Sequence, residues 1–194
     1  MNVLELAGVR APNGRPLDVS LARGEAVALW AGGGSGKRWI LRTAAGLRDP
    51  GPGSVRCAAA RVAYVFASGG LVFNMSAVDN VTLPLRFAGL PASEARARAG
   101  DVLAGLGLAE VAALRPSALS EEARQLVQLA RAMALRADLL FLEDPFRPLS
   151  ADTAAAVAAW LRGELDAERV SVLMSCTDRH DGERVGARIL AMER

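Results

Sequence analysis

Apolar and polar residues alternate over residues 3–6 and 17–21, which predicts two edge strands. Residues 26–31 form an unbroken apolar run. A strand buried on both faces has this character, so a parallel core strand is expected. A glycine-rich loop follows, and helical spacing then runs over residues 37–46. The turn cluster "RDPGPGS" separates this helix from a short strand at 61–66. Helices are predicted at 93–105, with Ser93 as its cap, at 120–136, with Glu121 and Glu122 in its first turn, and at 152–165. Further strands fall at 139–142, 170–175 and 188–192. Strands alternating with helices predict an α/β fold with a mainly parallel core sheet. No repeat or low-complexity tract interrupts it, and residues 1–194 read as one domain.

Composition narrows the class. The chain of 194 residues is 52% apolar, enough for a sizeable core and too much for a disordered protein. The net charge is only +2 and the arginines are spread out, which argues against a nucleic-acid partner. Cys57 and Cys176 lie far apart without metal-like spacing and read as free thiols in a reducing compartment. There is no signal-peptide pattern and no apolar run of about 18 residues, so a cytosolic chain that does not span a membrane is expected. Lys37 is the only lysine, and it sits in the glycine loop, where a compact ammonium and a planar guanidinium are not interchangeable.

That loop reads "AGGGSGKRW", and it lies between a buried strand and a helix. This is the setting of a phosphate-binding loop. The amides of Gly33, Gly34, Ser35, Gly36 and Lys37 and the helix N-terminus would hold phosphate oxygens, with Lys37 neutralising them. Downstream, "ALSEEARQLVQLARAMALRADLLFLEDP" resembles the signature helix and Walker B strand of an ATP-binding cassette (ABC) ATPase. "VFASGGLVFNMSAVDNVTLPLRF" resembles the Q-loop region of the ATPase subunit of Mla-type (MCE) lipid transporters. The resemblance covers nearly the whole chain. It implies a P-loop NTPase fold with a mainly parallel core sheet, a small antiparallel β part and a helical subdomain at about residues 70–135.

Set against that family pattern, the chain departs where the chemistry is done. Ala31 replaces the first glycine of the loop. Arg38 stands where a hydroxyl would hold Mg²⁺, and Trp39 follows where threonine is usual. Ala67 replaces the Q-loop glutamine. Glu143 and Asp144 invert the Walker B order of metal-binding Asp and water-orienting Glu. Ser150 takes the D-loop aspartate position and Thr177 that of the switch histidine. His180, the only histidine, is expected on an exposed loop. No aromatic lies at residues 11–13 to stack an adenine. Phosphoryl transfer depends on positioning and charge stabilisation, and those are the parts replaced.

The signature residues Ser120, Glu121 and Glu122 put two carboxylates where two glycines would let a helix N-terminus approach a partner's γ-phosphate. At about 5 Å and an effective dielectric of about 20, each like-charge pair costs roughly 3 kcal/mol before screening. As structure, the same residues simply cap a helix. A compensating Arg38–Glu143 salt bridge is expected at the metal position, with Lys37 finding Glu143 or Asp144, because a buried ammonium needs a partner.

The resemblance places permease docking at Ser68, Gly69, Gly70, Leu71 and Phe73, a region that keeps much of the family pattern. It implies a degenerate, non-hydrolysing subunit of a lipid-transport complex, held at the cytoplasmic face of the inner membrane by a permease or another ATPase. No cofactor is required on this reading. The alternative is a sensor or slow unconventional ATPase that binds ATP or ADP weakly, with Arg38 standing in for magnesium; a small P-loop kinase is a third reading, without a visible substrate lid. The segment between Lys37 and Ala67 is shorter than the family usually has, and the family's C-terminal helices are not seen after residue 190. Both imply trimming, and the second puts autonomous dimerisation in doubt.

Overall fold

The computed structural model describes residues 1–12 and 14–192. Two sheets share the chain. β1 (Asn2–Arg10), β2 (Pro16–Ala22) and β4 (Ser54–Cys57) form an antiparallel sheet in the order β2-β1-β4. β3 (Ala26–Trp30), β5 (Val62–Val65), β6 (Leu139–Glu143), β7 (Ser171–Cys176) and β8 (Arg188–Ala191) form an all-parallel sheet in the order β5-β6-β7-β3-β8. The helices are α1 (Lys37–Ala44), α2 (Ala77–Phe87), α3 (Ala92–Gly105), α4 (Glu121–Leu135), α5 (Ala151–Asp166) and the short α6 (Arg179–Glu183). Among the described residues, no helix is long and apolar enough to cross a membrane.

The alternation of side chains along each parallel strand divides the core in two. Val27, Leu29, Leu139, Phe141 and Leu173 face α1 and the antiparallel sheet. Ala28, Leu140, Leu142, Val172 and Met174 face α2 to α5 on the other side. Both faces are covered, which is why these strands read as continuous apolar runs rather than alternating ones.

Two local expectations are corrected, and one helix is added. β1 is not an edge strand but the centre of its sheet, because β4 pairs with its free side through Leu4–Cys57, Glu5–Arg56 and Leu6–Val55. Ser93 does not cap α3; the helix begins one residue earlier, after Pro91 in an extended conformation. α2 was not foreseen. Its Pro84 and β-branched residues disfavour a helix, yet Ser76 caps it, with its hydroxyl accepting the Asp79 N–H at 3.2 Å, and a stripe of Ala77, Val78, Val81 and Leu85 is buried.

Candidate functional site

The carboxyl ends of β3, β6 and β7 meet at the glycine loop. Gly34 and Gly36 adopt positive φ of 77° and 82°, which lets the loop turn back onto the start of α1. A Cβ on Gly36 would clash with that of Ala11, so the residue just after β1 presses directly on the loop. The adenine-stacking position extends to Asn13, which lies outside the described residues.

Lys37 is buried and turned inward. Its Nζ donates to the Ala31 carbonyl at 2.9 Å and to the Thr177 hydroxyl at 3.0 Å. Thr177 in turn donates to Asp144 Oδ1 at 3.0 Å. The expected direct partnership of Lys37 with Glu143 or Asp144 is therefore corrected: a carbonyl and a hydroxyl satisfy the ammonium, and Thr177 relays it to Asp144. Asp144 itself has a φ of 41°, a left-handed backbone that Asp tolerates, with its N–H held by the Ser175 carbonyl at 2.9 Å.

The expected Arg38–Glu143 bridge is also corrected. Arg38, half-exposed, reaches Asp144 Oδ2 at 3.5 Å. Glu143 is instead taken by Arg42, one helical turn further along α1, whose Nε donates to Oε1 at 2.6 Å and whose Nη2 donates to Oε2 at 3.2 Å. The Tyr64 hydroxyl donates to Oε1 at 2.6 Å and the Ala67 N–H to Oε2 at 3.3 Å. Glu143 is 1% exposed. Burial opposes its ionisation, but Arg42, Tyr64 and the Ala67 amide outweigh it and hold the carboxyl below its ordinary value. Burial and the neighbouring carboxylate push Tyr64 well above the usual phenol range.

Arg42 and Tyr64 were not singled out from the sequence. A signal existed for the first: Arg38 and Arg42 are four residues apart, so one helix face presents both guanidiniums to the two Walker B carboxylates. The Q-loop position contributes a backbone amide, since Ala67 has no side chain to reach further. A Mg²⁺ ion does not fit these residues. The Glu143 oxygens are saturated by four donors, and Arg38 brings a positive charge where a metal would need a neutral oxygen. The loop amides at the start of α1 are the groups that would hold an anion.

At the signature helix, the Ser120 hydroxyl accepts the Ala123 N–H at 3.0 Å and caps α4. Glu122 accepts the Ser150 N–H at 2.9 Å, a hydrogen bond that lowers its carboxyl. The D-loop serine thus anchors one of the two glutamates, while Glu121 stays exposed. His180 lies in α6 rather than on a loop, and is exposed.

In the docking segment, Ser68, Gly69, Gly70 and Phe73 are exposed, and Leu71 packs partly into the core. Gln128 of α4 clamps the start of this segment. It accepts the Phe66 N–H at 3.0 Å and donates to the Phe66 carbonyl at 3.2 Å. Asn80 clamps its end, accepting from the Val72 N–H at 2.7 Å and donating to the carbonyls of Val72, Met75 and Ser76.

A family model described as ABC transporter matches residues 15–147. The lipoprotein-releasing system ATP-binding protein LolD of Maricaulis maris is 35% identical over 183 residues, covering 86% of this chain and 80% of LolD. The sulfate/thiosulfate import ATP-binding protein CysA of Thermosynechococcus vestitus is 30% identical over 93% of this chain and 56% of its own length. The taurine import ATP-binding protein TauB of Pseudomonas aeruginosa is 36% identical over 77% of this chain and 59% of its own length. The chain thus spans most of LolD but little more than half of CysA and TauB. A dimeric ATP-binding cassette in a post-hydrolysis state, bound to ADP and phosphate, superposes with a TM-score of 0.89 at 22% identity, over 98% of this chain and 94% of that one. The fold is that of a P-loop NTPase of the ABC ATPase type.

Proposed function

The chain belongs to the ABC transporter family, and on that premise we propose that it is a catalytically degenerate nucleotide-binding-domain subunit that does not turn over ATP. It serves as a structural or regulatory partner, docked on a membrane permease or another ATPase at the cytoplasmic face. The observation that carries this reading is the saturation of Glu143 by Arg42, Tyr64 and the Ala67 amide at the position where the family holds its metal. Lipid transport as the setting rests on the Mla-like residues 68–85. The named relatives serve lipoprotein release, sulfate import and taurine import.

A second reading is favoured by one observation. Arg38 is half-exposed and touches Asp144 only at 3.5 Å, so it is free to swing to an anion held by the loop amides. A sensor of ATP or ADP that ignores magnesium would follow.

The test is nucleotide binding and hydrolysis by the purified chain with and without Mg²⁺, reported by Trp39 fluorescence with Lys37→Ala as control. We expect no turnover and no magnesium-dependent binding. Binding abolished by Lys37→Ala yet indifferent to Mg²⁺ would select the sensor. Magnesium-dependent turnover that Lys37→Ala abolishes would reject both.

A further inference from the structure

A cavity of about 710 Å³ opens at the amino ends of β5, β6 and β7, the end of the parallel sheet opposite the glycine loop. The last turns of α4 and α5 form its other walls. Its lining holds four arginines against three carboxylates, one positive charge in excess. Two of the arginines are already paired. Arg61 meets Asp138 at 3.3 Å, and Arg169 donates twice to Glu164, at 2.9 and 2.8 Å. The guanidiniums of Arg23 and Arg136 have no hydrogen bond or ion pair among the described residues. Arg98 stands one turn of α3 before the lining residue Val102. Burial lowers its pKa, and the charges of Arg136 and Arg61 lower it further, against the opposing pull of Glu94. Cations therefore crowd this wall. The carbonyl end of α4 adds negative partial charge here, but only about half a unit, less than the full charges beside it.

The backbone presents these charges in an unusual way. Arg136 and Glu168 have φ of 51° and 52°, just beyond the ends of α4 and α5. Glycine or asparagine is usual at that left-handed position, yet a charged side chain stands at both. Among the described residues, the one other non-glycine with positive φ is Asp144, at the loop site. The floor of the cavity is apolar, with Leu140 and Val170 buried and Met133 and Trp160 half-buried. Met133 and Trp160 also wall a second cavity, of about 490 Å³, between α3, α4 and α5. Leu106, Leu126, Leu129 and Val157 make that chamber apolar. Its volume lies within the roughly 300–1,000 Å³ of small-molecule sites.

We propose that the two cavities together bind one amphiphilic carboxylate, a medium-chain fatty acid, with its head against the Arg136 guanidinium and its chain lying past Met133 and Trp160 among Leu126, Leu129 and Val157. Arg136 has no partner of its own to give up, and Arg23 and Arg98 add to the field that draws the anion in. The single excess charge of the lining matches a monoanion. Met133 is unbranched and shifts readily, so a chain can pass from the charged cavity to the apolar chamber. An uncharged chain would leave Arg136 unused, and a cationic one would be repelled. The site lies at the far end of the sheet from Lys37, so the inference stands apart from the degenerate-subunit reading.

The experiment is calorimetric titration of the purified chain with hexanoate, octanoate, decanoate and dodecanoate, each below its micelle concentration. We expect a single site whose affinity rises about fourfold per methylene until the chamber is full. Decanol should bind about tenfold more weakly than decanoate, and decyltrimethylammonium should not bind. Arg136→Gln should weaken decanoate binding about tenfold, with the melting temperature and the affinity for decanol unchanged. Ala156→Phe, at an exposed position that lines the apolar chamber, should remove the gain from octanoate to dodecanoate and leave hexanoate as it was. Absence of binding, decanol as tight as decanoate, affinity independent of chain length, or an Arg136→Gln variant that binds like the parent would overturn the inference. So would sedimentation with phosphatidylglycerol vesicles that Arg136→Gln abolishes while decanoate fails to bind, since the anion recognised would then be a membrane surface.

Discussion

Arg42 supplies the positive charge closest to the buried Glu143 carboxylate, with Nε 2.6 Å from Oε1. A carboxylate at 1% exposure needs a positive charge or several donors, and here it has both. Arg42→Met removes the cation and leaves that charge buried. Because the arginine side chain is itself 36% exposed, we expect a loss near the low end for such pairs, about 2 kcal/mol by urea denaturation. The pH dependence follows from the same contacts. The folded carboxyl titrates below its ordinary 4.5, so its contribution to stability is complete above that value and disappears as the pH falls through the folded one. Below about pH 4.5, Glu143→Gln should lose stability with a shallower slope than the parent chain. Equal acid slopes would remove Glu143 from this role. The sequence pointed to an arginine against Glu143 but to the wrong one, Arg38, one helical turn short of Arg42. One methylene more than Asp lets Glu143 reach across to Tyr64 and the Ala67 amide, and that reach is a property of packing between α1, β5 and β6 that no single segment encodes.

At the scale of elements, the apolar runs at 26–31 and 139–142 announced the parallel sheet because those strands are buried on both faces. The central place of β1 was not announced, since it depends on a pairing with β4 that lies some distance along the chain. α2 was hidden for a different reason. Asn80, Thr82 and Pro84 weaken its local signal, and burial of its apolar stripe against α3 and α4 outweighs them. The glycines at the docking segment show how tightly that segment is held. Gly69 and Gly70 both have positive φ, 74° and 77°. A Cβ on Gly69 meets open space, whereas on Gly70 it would lie 2.4 Å from Gln128 Oε1 and 2.7 Å from Phe66 Cδ2. Gly69→Ala should therefore cost about 1 kcal/mol for the backbone alone. Gly70→Ala should cost about 2–3 kcal/mol, because it also breaks the Gln128 clamp. Chemical denaturation of the two variants decides this, and equal losses would show that the clamp is not tight.

Across the whole molecule, the loop site and the docking segment are joined by a short physical chain. Arg42 leaves α1, holds Glu143, and lies 5.7 Å over the Phe66 ring. Phe66 is fixed by Gln128 of α4, which clamps the start of that segment. On the degenerate-subunit proposal, Arg42 is a fixed cation at this point of the chain of contacts. Two opposite responses follow in hydrogen exchange. On the degenerate-subunit proposal, Mg²⁺-ATP should leave protection of residues 66–72 and 77–87 unchanged, because Arg42 already holds Glu143. Arg42→Met should lower protection in both segments, because the clamp on Phe66 and the Ala67 amide loosens together. A nucleotide-induced change in residues 77–87 of the parent chain would mean that the guanidinium yields to a ligand, and that the coupling of an active subunit survives in this one.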